Sequence, residues 1–204
     1  MVGLGNPGRD YEGTRHNVGA ETVLRLAGRH GARMARDRST RSLVAKVSLS
    51  DRVTTLAIPQ TWMNECGIAV RSLRNRYLGS DPASEDAGRA RGASDLQIEG
   101  LLVIHDELDL PVGTVKVKLG GGIAGHNGLR SITSHLHGTG FARIRVGIGK
   151  PPHPERGAEY VLARPAAREL EGLQRAEEDA ADAVEVLASE GLAAAMTKFN
   201  ASGR

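Results

Sequence analysis

The sequence predicts an α/β fold: a single domain over residues 1–204 with a mixed, twisted sheet flanked by helices. Three observations carry that expectation. Leu101-Leu102-Val103-Ile104 is a short, unbroken apolar run, the pattern of a central strand buried on both faces. Residues 43–49 alternate apolar and polar, and a second strand-like stretch, 53–58, follows the turn-prone pair Ser50-Asp51, as in a hairpin. Helical spacing recurs between the strand signals.

Taken in order, residues 1–4 read as the tail of a short strand. Residues 18–28 place Val23, Leu24 and Ala27 on one helical face. The hairpin 43–58 comes next, then a helix over 67–78. Residues 79–100 are rich in Ser, Ala, Asp, Gly and Arg with little apolar content, which predicts a flexible surface insertion. The buried strand at 101–104 follows, then Val115, Val117 and Leu119 alternate in another strand. Residues 128–136 form a helix, 143–149 a strand, and 166–189 a long Ala/Glu/Leu helix starting just after Pro165.

Composition narrows the function. Hydrophobic residues make up 40% of the chain and aromatics 3%, so the core must be built from Val, Leu, Ile and Ala. No apolar run is long enough to span a membrane, and no signal peptide is visible at the N-terminus. The one cysteine, Cys66, has no internal disulfide partner, which points to a reducing cytoplasm. Charge is unevenly placed. Through Pro154 there are 21 Lys and Arg against 14 Asp and Glu; from Glu155 onward there are 6 against 10. A basic body points to a polyanionic partner.

Two segments join a Gly-permitted backbone to a His-Asn pair: Gly5-Asn6-Pro7-Gly8 through His16-Asn17, and Gly120-Gly121-Gly122 through His126-Asn127-Gly128. Glycine turns tightly and approaches ligands closely. Histidine accepts a proton near neutral pH. His16 is therefore the candidate general base, and Asp106, emerging at the end of the apolar strand, is its orienting carboxylate. Asn6, Asn64 and Asn127 are neutral donors suited to an oxyanion or a held water. Met63 offers an apolar wall. Lys116 and Lys118 share one strand face, as do Arg143 and Arg145, and the helix start after the Gly-rich segment suits phosphate.

Competing chemistries fit less well. Gly3-Leu4-Gly5-Asn6-Pro7-Gly8 matches G-x-G-x-x-G, but no full strand precedes it and no helix opens at its last glycine. His105-Asp106 with His16 or His126 could supply metal ligands, yet no H-x-x-x-H or Cys-His cluster exists. There is no G-x-S-x-G nucleophile elbow, and Cys66 reads as a small filler at a helix start. A nucleic-acid-binding module with structural His and Asn residues is the non-enzymatic alternative.

Val2 through Gly8, Tyr11, Thr14-Arg15-His16-Asn17, Met63-Asn64, His105 through Asp109, Gly120 through Gly122, Gly125 through Leu129 and Arg145 through Gly149 together resemble the bacterial peptidyl-tRNA hydrolase family. The resemblance runs in order from Met1 to about Leu162. It implies a monomeric cytoplasmic enzyme that cleaves the ester between a peptide and the tRNA 3′ ribose, with peptidyl-tRNA as partner. It also implies no metal, no other cofactor, no membrane and no obligate protein partner. His16 would be the base on water, Asp106 its orienter, and Asn6 a catalytic donor. Asn64 and Asn127 would bind substrate, and Tyr11, Met63 and His126 would line the cleft. Lys118 and Arg145 would grip tRNA phosphate. Ala124 stands where this family's loop has Gly, and Trp62 where it has Phe or Tyr.

Overall fold

Seven strands are seen in the computed structural model, which describes residues 1–79 and 97–201. They are β1 (Val2–Gly3), β2 (Ala35–Asp37), β3 (Ser42–Leu49), β4 (Arg52–Pro59), β5 (Gln97–Glu107), β6 (Val115–Leu119) and β7 (Gly140–Gly147). They form one sheet in the order β2-β3-β4-β1-β5-β7-β6. β1 runs parallel to β4 and β5, and β5 parallel to β7; β2, β3 and β6 pair antiparallel. The expected mixed sheet is therefore present, with its parallel part at the centre. The helices are α1 (Val18–Arg29), α2 (Cys66–Tyr77), α3 (Asn127–Leu136), α4 (Gly157–Leu162), α5 (Ala167–Glu190) and α6 (Leu192–Ala201).

Two cores sandwich the sheet. On one face α1, α5 and α6 bury Val23, Leu26, Ala180, Val184 and Ala195 against Leu102, Ile104 and Ile144. On the other, α2 and α3 bury Val70, Leu73, Leu129 and Ile132 against Val103 and Phe141. Strand alternation explains the division, since successive residues of β5 point to opposite faces. Truncating a fully buried side chain such as Ile104 to Ala would cost about 2–5 kcal/mol.

The two-residue strand β1 is held at the centre by close backbone packing. A Cβ on Gly3 would lie 2.2 Å from the Gly19 carbonyl oxygen, and one on Gly19 would lie 2.2 Å from the Ile104 oxygen. Helix α1 therefore rests directly on β1 and β5 with no side chain between. This is what brings the start of α1, and His16 before it, against the end of β5. The β3–β4 hairpin turns at Ser50 (φ 48°) and Asp51 (φ 61°), the left-handed pair of a two-residue I′ turn.

Several elements depart from the sequence reading. β5 begins at Gln97 rather than Leu101, so its first four residues take the end of the stretch expected as an insertion. Residues 80–96, the rest of that stretch apart from Gly79, lie outside the described residues. β2, α4 and α6 carried no periodic signal, because β2 and α4 bury none of their residues and α6 buries only Ala195. The acidic C-terminal segment also has an internal partner. Glu177 and Glu178 of α5 accept from Arg25 at 2.6 and 2.9 Å, Asp182 accepts from Arg29 at 2.6 Å, and Glu185 meets His30 at 3.1 Å. The charge asymmetry thus partly reflects two helices zipped together rather than a polyanionic partner alone.

Candidate active site

The site lies at the carboxyl ends of the parallel strands, where open α/β sheets place their ligands. Asn6 follows β1, Met63 and Asn64 follow β4, and Asp106 sits one residue from the end of β5. His16 occupies a single 3-10 turn, Arg15–Asn17, just before α1. His126 is the N-cap residue of α3.

Asp106 is buried at 3% exposure and joins two imidazoles. Its Oδ1 is 2.9 Å from His16 Nδ1 and 2.9 Å from His126 Nε2. The backbone decides the His126 tautomer. Its Nδ1 accepts the Gly128 and Leu129 amide protons at 3.0 and 3.2 Å, so that nitrogen carries no hydrogen and Nε2 must donate to Asp106. His16 donates through Nδ1 to the same oxygen, which leaves the lone pair on its Nε2 for a ligand. Burial by itself would raise the Asp106 carboxyl. The two facing imidazoles overcome that and hold it below the usual carboxylate range. His105, next in β5, donates through Nδ1 to the Asp106 carbonyl at 2.7 Å and stacks edge-on against His126. Burial, then the neighbouring His126, pushes its imidazole down to about 3, so His105 adds no charge.

Asn6 is oriented by three bonds. Its backbone N–H donates to Asn17 Oδ1 at 2.8 Å, and Asn17 Nδ2 returns a bond to the Asn6 carbonyl at 2.9 Å. Its side-chain Oδ1 accepts from the Met63 amide at 2.8 Å, which leaves the Nδ2 hydrogens as donors. Met63 itself is buried in the α2/α3 core, so its backbone rather than its thioether reaches the Asn6 side chain. Tyr11 stacks edge-on against the half-exposed Trp62, ring centroids 5.6 Å apart. Asn64 and Asn127 are exposed, the latter accepting from Arg130 at 3.0 Å.

The basic residues divide by role. Arg145 donates through Nε to Glu107 at 2.9 Å, which sets its guanidinium plane. Lys118 is half-buried, its ammonium lying where a side chain on Gly121 would go, 2.5 Å from the position of that Cβ. Arg143 departs from the expected basic surface. It is 3% exposed and donates to the Gly120 and Gly122 carbonyls, so it holds the loop from inside. Lys116 reaches away to the Asn200 carbonyl of α6 at 2.8 Å. Ala124 takes the left-handed conformation (φ 46°) that a glycine would adopt freely.

Sequence reading passed over the roles of Arg15, Asn17 and Glu107. Asn17 carried a misleading local signal, since it sits at the N-cap of α1 yet makes no side-chain cap bond there. Its partner is Asn6, eleven residues back.

Among the described residues, His16, Asp106 and His126 each offer a ligand atom within 4.8 Å of the others. The tautomers do not suit a metal. A ligating Nε2 on His126 would have to move its proton to Nδ1, against two amide donors. Cys66 is no nucleophile, because burial pushes its thiol up to about 12.

A polar site at the carboxyl edge of a parallel-centred α/β sheet, with an imidazole held by a buried carboxylate, is equipped for general-base chemistry. A family model described as peptidyl-tRNA hydrolase matches residues 1–204. The peptidyl-tRNA hydrolase of Rubrobacter xylanophilus is 45% identical over 200 residues, covering 98% of this chain and 99% of its own. That of Cutibacterium acnes is 39% identical over 210 residues, covering 98% and 96%. The crystal structure of peptidyl-tRNA hydrolase from Acinetobacter baumannii matches with a TM-score of 0.85 at 34% identity, covering 98% of this chain and 93% of that one. The chain belongs to the peptidyl-tRNA hydrolase family.

Proposed function

We propose that this chain hydrolyses the ester joining a peptide to the 3′ ribose of tRNA, with His16 activating the attacking water. The observation that supports this reading is the 2.9 Å contact of His16 Nδ1 with Asp106 Oδ1: an ionised carboxylate only accepts, so the His16 lone pair lies on Nε2. His16 Nε2 takes a proton from water as the water oxygen bonds to the ester carbonyl carbon. The carbonyl oxygen becomes an oxyanion, stabilised by the Nδ2 donors of Asn6, with Asn64 and Asn127 as further amides at the rim. The C–O bond to the ribose then breaks, and the leaving oxygen takes the proton from His16. The products are a peptide acid and free tRNA. Asp106 stabilises the imidazolium formed on the way.

Tyr11, stacked edge-on against Trp62, supplies aromatic surface for the substrate, and Met63 and His126 complete the lining. Lys118 and Arg145 supply cations for phosphate. The enzyme acts as a monomer in the cytoplasm, without metal or cofactor. The direct test is incubation with an N-acyl-aminoacyl-tRNA, reading free tRNA. Release by the wild type in excess chelator, lost in His16→Ala while tRNA affinity is kept, is the expected result. No release by folded protein overturns the reading. Release abolished by chelator would indicate metal-dependent hydrolysis, and unchanged release by His16→Ala would remove its role as base.

A further inference from the structure

The turn that carries His16 is clamped on both sides. Toward the sheet, Asn17 grips the Asn6 backbone by the two bonds described above. Toward the C-terminal segment, Arg15 makes the contact, and no step of the reaction uses it. Arg15 is 7% exposed. Its Nη1 lies 3.3, 3.2 and 3.1 Å from the carbonyl oxygens of Tyr160, Ala163 and Arg164, so two protons are shared among three acceptors. These carbonyls belong to the last turn of α4 and the residues just past it, where a cation is favoured. Nη2 donates to Glu169 Oε2 at 2.6 Å, and that oxygen also accepts the Ala166 amide at 2.9 Å. The guanidinium lies 4.2 Å above the Tyr160 ring, and the Arg15 amide donates to the Ala163 carbonyl at 3.2 Å. Tyr160 is anchored in turn, its hydroxyl donating to the Ile148 carbonyl at 2.6 Å.

We infer that Arg15 is a positioning residue for His16, and that residues 157–169 serve the active site by holding the turn of the base through Arg15 and Glu169. This rests on His16 acting as the base. The turn has three residues, with His16 in the middle, so the anchors on Arg15 act on the residue bonded directly to the base. A guanidinium fits this task and an ammonium does not. Lysine cannot span the carbonyl cluster and the Glu169 carboxylate with one planar fork. Glu169 is the milder test site, because Glu169→Gln keeps an acceptor for the Ala166 amide while removing the charge facing Arg15. The carboxyl of Glu169 is held low chiefly by the Ala166 amide and then by Arg15, so it is ionised at neutral pH.

The experiment measures kcat and KM on N-acyl-aminoacyl-tRNA for Arg15→Lys and Glu169→Gln beside the wild type, with melting temperature and the ¹⁵N resonances of the His16 ring. Arg29→Gln, in the α1–α5 ion-pair ladder, controls for lost stability alone. A displacement of about 1 Å in a reacting group costs on the order of 10²-fold. Arg15→Lys is expected to lower kcat by about that factor with KM within about twofold, and Glu169→Gln by roughly tenfold. The His16 ring resonances move in both variants and stay put in Arg29→Gln. Unchanged kcat per folded molecule overturns the inference, and so does a rise in KM alone. If the wild type releases no tRNA, the hydrolase reading fails instead. The ring resonances then decide the positioning claim: movement supports it, and their constancy overturns it.

Discussion

The imidazole–carboxylate line and the basic loop edge are built from opposite materials. His16, Asp106 and His126 are buried or nearly so, and each imidazole has its proton assigned by a named partner. Around Gly120–Gly122 the chain is glycine-rich, with Lys118 and Arg145 partly open to water and Arg143 bracing the loop from below. A buried line fixes geometry and suits bond-making. An open cationic edge attracts phosphate at long range and tolerates movement. Under the proposed roles, chemistry and tRNA grip fall to separate regions, so substitutions in the two should fail in different kinetic constants.

The largest effect expected is on the buried line. His16→Ala should lower kcat by roughly 10³–10⁴-fold, toward the upper range for general-base removal, with tRNA affinity unchanged. A comparable loss of tRNA binding in a filter assay would break the division. Asp106→Asn should cost somewhat less, about 10²–10³-fold, by presenting the wrong partner to His16 Nδ1. The acid side of the pH profile sharpens the point. A protonated His16 cannot accept from water, so kcat falls as pH falls. Asp106 has its carboxyl depressed, so it stays ionised through that fall, and log kcat should descend with a slope near one. A slope of two would mean that Asp106 is losing its charge over the same range.

The loop edge should answer in binding. Lys118→Ala is expected to raise KM several-fold with kcat preserved, and to reduce the salt dependence of tRNA affinity by about one unit of slope. A drop in kcat would show that the edge also sets geometry. The smallest effect is Ala124→Gly. Relief of the left-handed alanine, offset by greater freedom in the unfolded chain, should change stability by no more than about 1 kcal/mol, measured by thermal melting. Turnover should stay constant.

Much of this was legible along the chain. The apolar run at 101–104 announced a central strand, and its exit placed Asp106 correctly. The Ser50-Asp51 turn announced the hairpin. Those signals are local, because backbone preference and alternation depend on neighbours in sequence. The short elements β2, α4 and α6 were illegible for the complementary reason. They bury little and so leave no period to read.

By itself the sequence determined the chemical inventory: imidazoles, a carboxylate at a strand end, neutral amides, glycines where the chain must bend, and cations on alternating strand positions. It also determined the fold class through its apolar patterning. Only the tertiary structure decided who faces whom. His16 meets Asp106 across 90 residues because Gly3 and Gly19 let α1 settle onto β1 and β5. Arg15 meets Glu169 across 154 because α5 packs along α1. Arg143 and Arg145 look alike in sequence, yet one is enclosed beneath the Gly-rich loop and the other reaches Glu107 at its margin. The physical reason is that residue type sets what a side chain can donate or accept, while burial and the choice of partner come from packing between segments far apart in the chain.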